Sequence, residues 1–440
     1  MANNTLGHVP DLLRIATAGS VDDGKSTLVG RLLYDTKSVL ADQIDAVTKA
    51  SVDRGLAGPD LSLLVDGLRA EREQGITIDV AYRYFATPAR SFVLADTPGH
   101  VQYTRNTVSG ASTAQLVMLL VDARNGVVAQ TRRHAAVMAL LGVPRLVLAV
   151  NKIDLVDDAA TVFAEIAAQF RELTHTLGWS DDHVTAIPVS ALHGDNIAIR
   201  SENTPFYDGP TLIEHLETVP NGTTAGADHR EVGLRFPVQY VIRPRTPDYP
   251  DYRGYAGQIA AGRVSVGDDI VVLPSGVRTT VTQIDTADGQ LATAHTGRSV
   301  TLLLADDVDI SRGDLIASAA DAPEPTQQFS ATVCWLADKP LRPGARLLLK
   351  HGAKTTQAIV GSIDVLFDEQ NLALAEAPDT LELNQIGRIT VQTAEPIPAD
   401  DYLVNRESGS FLLIDPQGGN TLAAGLVGDA LAALHLKELV

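Results

Sequence analysis

Cysteine is almost absent: Cys334 is the single one in 440 residues. That excludes an internal disulfide framework and, with no Cys/His cluster at ligand spacing, argues against a structural zinc site. A reducing cytoplasm suits such a chain. No uncharged apolar run reaches the ~18 residues that would span a bilayer, and residues 1–10, MANNTLGHVP, have neither a basic n-region nor an apolar h-region. The expectation is a soluble protein with no membrane partner. Basic residues are also scarce, 35 Lys and Arg against 54 Asp and Glu for a net charge of −19. Broad nucleic-acid binding needs the opposite balance, so no nucleic-acid partner is expected, although a local basic patch remains compatible with this charge. Blocks of like charge, heptad arrays and fixed-period repeats are missing as well.

What is present is enough chain for two or three domains, since a single core rarely grows past roughly 250–300 residues. The first half alternates apolar runs with helical patterns. Strands are expected at Leu13–Ala18, Ser91–Ala95, Gln115–Val121, Arg145–Val150 and Val184–Pro188, and helices at Gln130–Leu141 and Ala159–Leu177. This is the pattern of a mainly parallel α/β sheet. From Val232 the pattern becomes short alternating strands broken by Gly, Pro and Asp: RFPVQYVI, GQIAAGRV, DDIVVLP, VRTTVTQI and SVTLLL. A second series follows from Phe329: SATVCWL, ARLLLKH, TTQAIVGSI, QIGRITVQT and FLLIDP. Two successive β-barrels are expected. The architecture read from sequence is therefore an α/β P-loop domain over 1–222 followed by β-barrels over 230–320 and 326–440, with linkers near 223–230 and 318–328.

Several expected strands end directly in a polar motif, where open α/β sheets place ligands. Gly19, Ser20, Val21, Asp22, Asp23, Gly24, Lys25 and Ser26 spell G-x-x-x-x-G-K-[ST], with a strand before and a helical pattern from Thr27 onward. In such a loop consecutive backbone N–H groups converge on phosphate oxygens, Lys25 supplies a point charge to the β/γ-phosphates and Ser26 a hydroxyl to Mg²⁺. DTPGH, Asp96 to His100, follows the strand SFVLA. Asp96 suits holding Mg²⁺ through a water, and Gly99 can offer a backbone N–H to a γ-phosphate. NKID, 151–154, follows RLVLAV. Asp154 can accept from N1–H and the exocyclic amine of guanine, Asn151 can bond N7 and neighbouring backbone, and the Lys152 stem can lie along the base. Ser190, Ala191 and Leu192 follow VTAIPV, where the Ala191 N–H could meet the guanine O6. Adenine lacks the donor pair that Asp154 would read, so the ligand expected is GTP with Mg²⁺.

This order of motifs, with two barrels behind it, resembles the translation-factor class of GTPases over nearly the whole chain. The resemblance makes GITI, 75–78, a switch I motif in which Thr77 is the second hydroxyl ligand of Mg²⁺, and it assigns His100 to positioning the attacking water. Without the DTPG before it, His100 would read as a turn residue with a satisfied ring. Translation factors usually carry His where this loop has Asp23. GSVDDGKSTLVGRLLYD, DGLRAEREQGITIDVAYRYF, DTPGHVQYTRNTVSGAS and FPVQYVIRP are similar instead to the large GTPase subunit of bacterial sulfate adenylyltransferase, the CysN type. The resemblance implies a small catalytic partner subunit of CysD type that binds ATP and sulfate and makes adenylyl sulfate and pyrophosphate, driven by GTP hydrolysis here.

The chain itself has no S-G-G-x-D-S pyrophosphate loop and no H-x-x-H pair, so adenylation of sulfate is expected of the partner. No second P-loop follows the first, and no adenylyl-sulfate kinase activity is expected of these residues. Two alternatives stay open on sequence: a translation-elongation-type GTPase, and a GTP-dependent scaffold whose barrels only bind partners.

Overall fold

The computed structural model describes residues 11–53, 55, 59–65, 80–98, 104–220, 232–244, 246–247, 251–434 and 437–438. Thr77, Gly99, His100 and the connection at 223–230 lie outside the described residues. The chain divides into two compact units, one built on the N-terminal sheet and one that holds both barrels.

The first unit is a six-stranded sheet with strands β1 (Asp11–Gly19), β2 (Ala81–Ala86), β3 (Arg90–Asp96), β4 (Leu116–Asp122), β5 (Arg145–Asn151) and β6 (Val184–Pro188) in the order β2-β3-β1-β4-β5-β6. Five strands are parallel; β2 runs antiparallel to β3 at the edge. Every residue of β4 is buried, as a strand covered on both faces requires.

Helices α1 (Lys25–Asp35), α2 (Ala41–Asp53), α3 (Thr104–Ala111), α4 (Ala129–Leu140), α5 (Ala159–Thr176) and α6 (Leu212–Thr218) belong to this unit. In α1 the buried positions Leu28, Val29, Leu32 and Leu33 form one apolar stripe, which joins Leu13, Ile15, Leu94 and Leu116 in the core. Local chemistry sets the helix starts. Asp158 accepts from Thr161 N ahead of α5, and Thr211 and Glu214 make a reciprocal capping box at α6. Gly30 of α1 has no room for a side chain: a Cβ there would sit 2.0 Å from the Leu61 carbonyl oxygen. Among the described residues no helix is long and apolar enough to cross a membrane.

The second unit contains two eight-stranded sheets, each wrapped around its own core. In the later sheet Arg346–His351 pairs with Ser410–Ile414 on one side and with Lys354–Asp368 on the other, which closes a ring of strands. In the earlier barrel two runs read as single strands are each split, and Gly289–Leu291, Thr293–His295 and Leu315–Ser318 are strands that the reading missed. RFPVQYVI is two strands, Arg235–Pro237 and Tyr240–Ile242, because Pro237 has no N–H to continue a ladder. GQIAAGRV is likewise two, Gly254–Gln258 and Arg263–Ser265, parted at Gly262, whose φ of 72° turns the chain.

The barrels share a buried charge cluster. Arg235 donates from Nε and Nη2 to the two oxygens of Asp400 at 3.0 and 3.1 Å, and from Nη2 to the Asp321 carbonyl at 2.7 Å. The Ser408 hydroxyl also donates to Asp400. Arg235 and Asp400 are both buried. Asp321 lies in the stretch read as a linker, so that stretch is fastened to the barrel it follows.

Candidate functional site

The carboxyl ends of β1, β3, β4, β5 and β6 all lie along one edge of the sheet, and the order places β1 between β3 and β4, where the direction of winding reverses. Ligands of open α/β sheets bind at that point. Each strand ends on a polar residue or a turn: Gly19, Asp96, Asp122, Asn151, and Ser190 just past β6.

The loop after β1 folds on itself. Ser20 N donates to Asp23 Oδ2 at 2.6 Å, Asp22 takes a left-handed φ of 69°, and Gly24 follows at 92°. Gly24 must be glycine for a second reason, because a Cβ would stand 2.4 Å from Asn151 Nδ2. Lys25 is 8% exposed and donates from Nζ to the carbonyls of Gly19 and Ser20, each at 2.8 Å. Burial pushes its pKa down, against the opposing pull of Asp96, Asp23 and Asp22. Burial pushes the Asp23 carboxyl up, against its bond from Ser20. Ser26 and Thr27 are half-buried in the first turn of α1, which carries no acidic residue to compete with an anion.

Asp96 is fully buried and accepts from the Thr17 hydroxyl at 2.7 Å, while Thr97 N donates back to that hydroxyl at 3.2 Å. Thr17 thus stitches the ends of β1 and β3 together, a role the apolar context RIATAG did not signal. At the far side, Asn151 spans the site. Its Nδ2 donates to the Asp23 carbonyl at 2.7 Å and its Oδ1 accepts from Ala191 N at 2.9 Å. The phosphate loop and the base loop are therefore joined through one carboxamide.

Lys152, left-handed at φ 59°, precedes a short turn over Ile153–Leu155 that presents Asp154. Its ammonium donates to the Asp22 carbonyl and pairs with Asp122 at 3.0 Å. His193 Nε2 stands 3.7 Å from Asp154 Oδ2, and Leu192 beside it is 66% exposed. Asp122, Arg124 and His193 are neighbours that the motifs did not single out. Asp122 had a signal of the same kind as Asp96 and Asn151, a polar residue closing an apolar strand.

The described residues fit a guanine nucleotide with Mg²⁺. Gly24 lets the loop pack against Asn151 where no Cβ would fit, Lys25 is a buried cation beside it, and Ser26 and Asp96 offer the hard oxygen donors that Mg²⁺ prefers. The Asp154 carboxylate, beside His193 on the same edge, is a polar group of the kind that could accept from a base.

A model of the elongation factor Tu GTP-binding domain matches residues 10–225, and one described as GTP-eEF1A C-terminal domain-like matches 328–428. The bifunctional enzyme CysN/CysC of Mycobacterium tuberculosis is 52% identical over 417 residues, 94% of this chain and 67% of that protein. Sulfate adenylyltransferase subunit 1 of Alteromonas mediterranea is 45% identical over 424 residues, 96% of this chain and 88% of that protein. The bifunctional enzyme NodQ of Rhizobium sp. strain N33 is 48% identical over 94% of this chain and 63% of its own length. With likeness of that extent over both units, the chain belongs to the sulfate adenylyltransferase subunit 1 (CysN) family within the translation-factor class of GTPases.

Proposed function

We propose that this chain hydrolyses GTP to drive the making of adenylyl sulfate and pyrophosphate from ATP and sulfate on a small catalytic partner subunit of CysD type in the cytoplasm. The observation that carries the reading is the convergence of Lys25, Asp96, Asn151 and Asp154 on one edge of the sheet in a chain so like a sulfate adenylyltransferase subunit 1. Lys25 and the backbone of 19–26 bind the phosphates, and Asp154 reads the base. Ser26, Thr77 and, through water, Asp96 would hold Mg²⁺, which supplies charge neutralisation on the phosphates. His100 orients the water whose oxygen bonds to the γ-phosphorus as the bond to the bridging oxygen breaks; GDP and phosphate leave. Gly99 donates its N–H to the γ-phosphate.

Formation of the phosphate–sulfate anhydride is uphill, and the two reactions are coupled if the GTP-bound and GDP-bound states favour different conformations of the partner. The domain limits at 222, 230, 320 and 326 belong to the same proposal. So does the absence of a nucleic-acid partner, which separates this reading from a translation-elongation-type GTPase.

Asp154→Asn tests it. The amide meets the second donor of guanine with an NH₂ but meets the 2-oxo group of xanthine favourably, a change of about 1–3 kcal/mol. Adenylyl sulfate synthesis by the variant with its partner is expected to respond to xanthosine triphosphate and no longer to GTP. A variant still stimulated by GTP like its parent overturns the base reading. Hydrolysis rescued by xanthosine triphosphate without any synthesis severs the GTPase from sulfate activation.

A further inference from the structure

Asp122 closes β4 with a carboxylate that is 2% exposed, an expensive place for a charge unless something requires it there. Four donors converge on it: Arg124 N at 2.9 Å, Arg124 Nε at 3.0 Å, Arg124 Nη2 at 2.6 Å and Lys152 Nζ at 3.0 Å. Burial alone would raise its pKa, but the bonds from Arg124 and Lys152 outweigh that and hold the carboxyl below the ordinary carboxylate range, so it is an anion at neutral pH.

The arrangement has a direction. Arg124 is half exposed and sits two residues along the same chain, so it answers the charge without reaching the site. Lys152 belongs to the base-reading loop. Its backbone is fixed in the left-handed region at the start of the turn that carries Asp154, and its ammonium is fixed between Asp122 and the Asp22 carbonyl. The neighbouring Asn151 grips the next carbonyl of the loop, that of Asp23. Consecutive residues of one loop therefore hold consecutive carbonyls of the other, and Asp122 anchors one of these two ties to the sheet.

We infer that Asp122 is a positioning residue of the guanine-nucleotide site: its buried carboxylate holds the Lys152 ammonium on the Asp22 carbonyl of the phosphate loop, and this grip slows nucleotide release. The inference rests on the GTP-binding reading above. Without Asp122 the ammonium keeps only a neutral carbonyl partner, and the stem regains the rotamers that the pairing denies it.

The test is the dissociation rate of a fluorescent N-methylanthraniloyl-GDP, displaced by excess GDP, from the full chain and from Asp122→Ala, Lys152→Met and the double variant. Asp122→Ala is expected to release nucleotide roughly 10- to 100-fold faster, the scale for losing a charge-assisted hydrogen bond. If Asp122 acts through Lys152, the double variant releases no faster than Lys152→Met alone. A rate for Asp122→Ala within twofold of the parent, or effects of the two substitutions that multiply, overturns the inference. Asp122→Asn keeps an acceptor for Arg124 N but sets an NH₂ donor where Oδ2 took Arg124 Nη2 and the Lys152 ammonium. Should the alanine variant not fold, faster release from Asp122→Asn supports the inference and an unchanged rate refutes it. A parent chain that does not bind the probe at all refutes the GTP-binding reading instead.

Discussion

Asn151→Ala removes one of the two side chains that tie the base loop to the phosphate loop, the other being Lys152. In the parent its Nδ2 gives a 2.7 Å bond to the Asp23 carbonyl and its Oδ1 takes a 2.9 Å bond from Ala191 N, and the residue is 2% exposed. Truncation strands two buried backbone groups, at about 1–3 kcal/mol each. The loops can recover part of this by relaxing toward water, which spoils their geometry for the ligand. We take about 3 kcal/mol of the loss to fall on nucleotide binding, and at 1.4 kcal/mol per factor of ten that is a fall in affinity of roughly 100-fold. Asn151→Asp is the informative companion. It keeps the acceptor for Ala191 N and sets an oxygen where the donor to the Asp23 carbonyl was, so it should bind GDP no better than the alanine variant. Titration calorimetry with GDP, alongside thermal unfolding without nucleotide, measures both. If Asn151→Ala binds GDP within threefold of the parent, the carboxamide is not what joins the two loops.

His100→Ala should slow GTP hydrolysis by ~10²–10⁴-fold with GTP affinity nearly unchanged, read by single-turnover assay with the partner present; a parental rate would leave His100 a turn residue. Asp400→Ala leaves the buried Arg235 with Asp321 as its remaining acid, which is 41% exposed, and should cost the barrel unit about 3 kcal/mol or ~6–12 °C in its unfolding midpoint. A midpoint within a degree of the parent refutes the role given to that cluster. His215 in α6 is held down to about 4 by burial and by the charge of Arg145. Below its ordinary value of ~6.5 the unfolded chain takes up a proton that the folded chain refuses until about 4, so stability falls as pH drops through that window, by up to ~3 kcal/mol. His215→Gln should flatten the midpoint of the nucleotide-binding unit between pH 7 and 5; an unaltered slope assigns the loss to other groups.

The parallel strands of the first unit were legible because each is an apolar run that stops at a polar motif. Arg145–Asn151 begins where it was expected, and β4 starts at Leu116, one residue after the expected Gln115. The antiparallel β2 was not legible, because AYRYFA buries only Phe85 among its six residues and so lacks the apolar run that marked the others. Within the site, motif spacing marked the residues proposed to meet ligand but not the neighbours that brace them. Thr17 does its work through a hydrogen bond to Asp96, 79 residues away, and Asp122 through its pair with Lys152 in another loop, and no spacing rule joins such positions. Splitting of RFPVQYVI at Pro237 was foreseeable from proline alone; the fastening of Asp321 to Arg235 was not, since an Ala- and Pro-rich stretch reads as a linker whatever packs on it.

The charge cluster between the barrels also has a consequence for the order in which the protein is made. Arg235 precedes Asp400 by 165 residues, and at the usual ~5–20 residues per second of synthesis the arginine waits roughly 8–33 s for its partner. Until then the earlier barrel has a guanidinium to bury and half of its acceptors. That barrel is expected to gain its full stability only when the later one has emerged, and cutting the chain between them should lower the first barrel's unfolding midpoint.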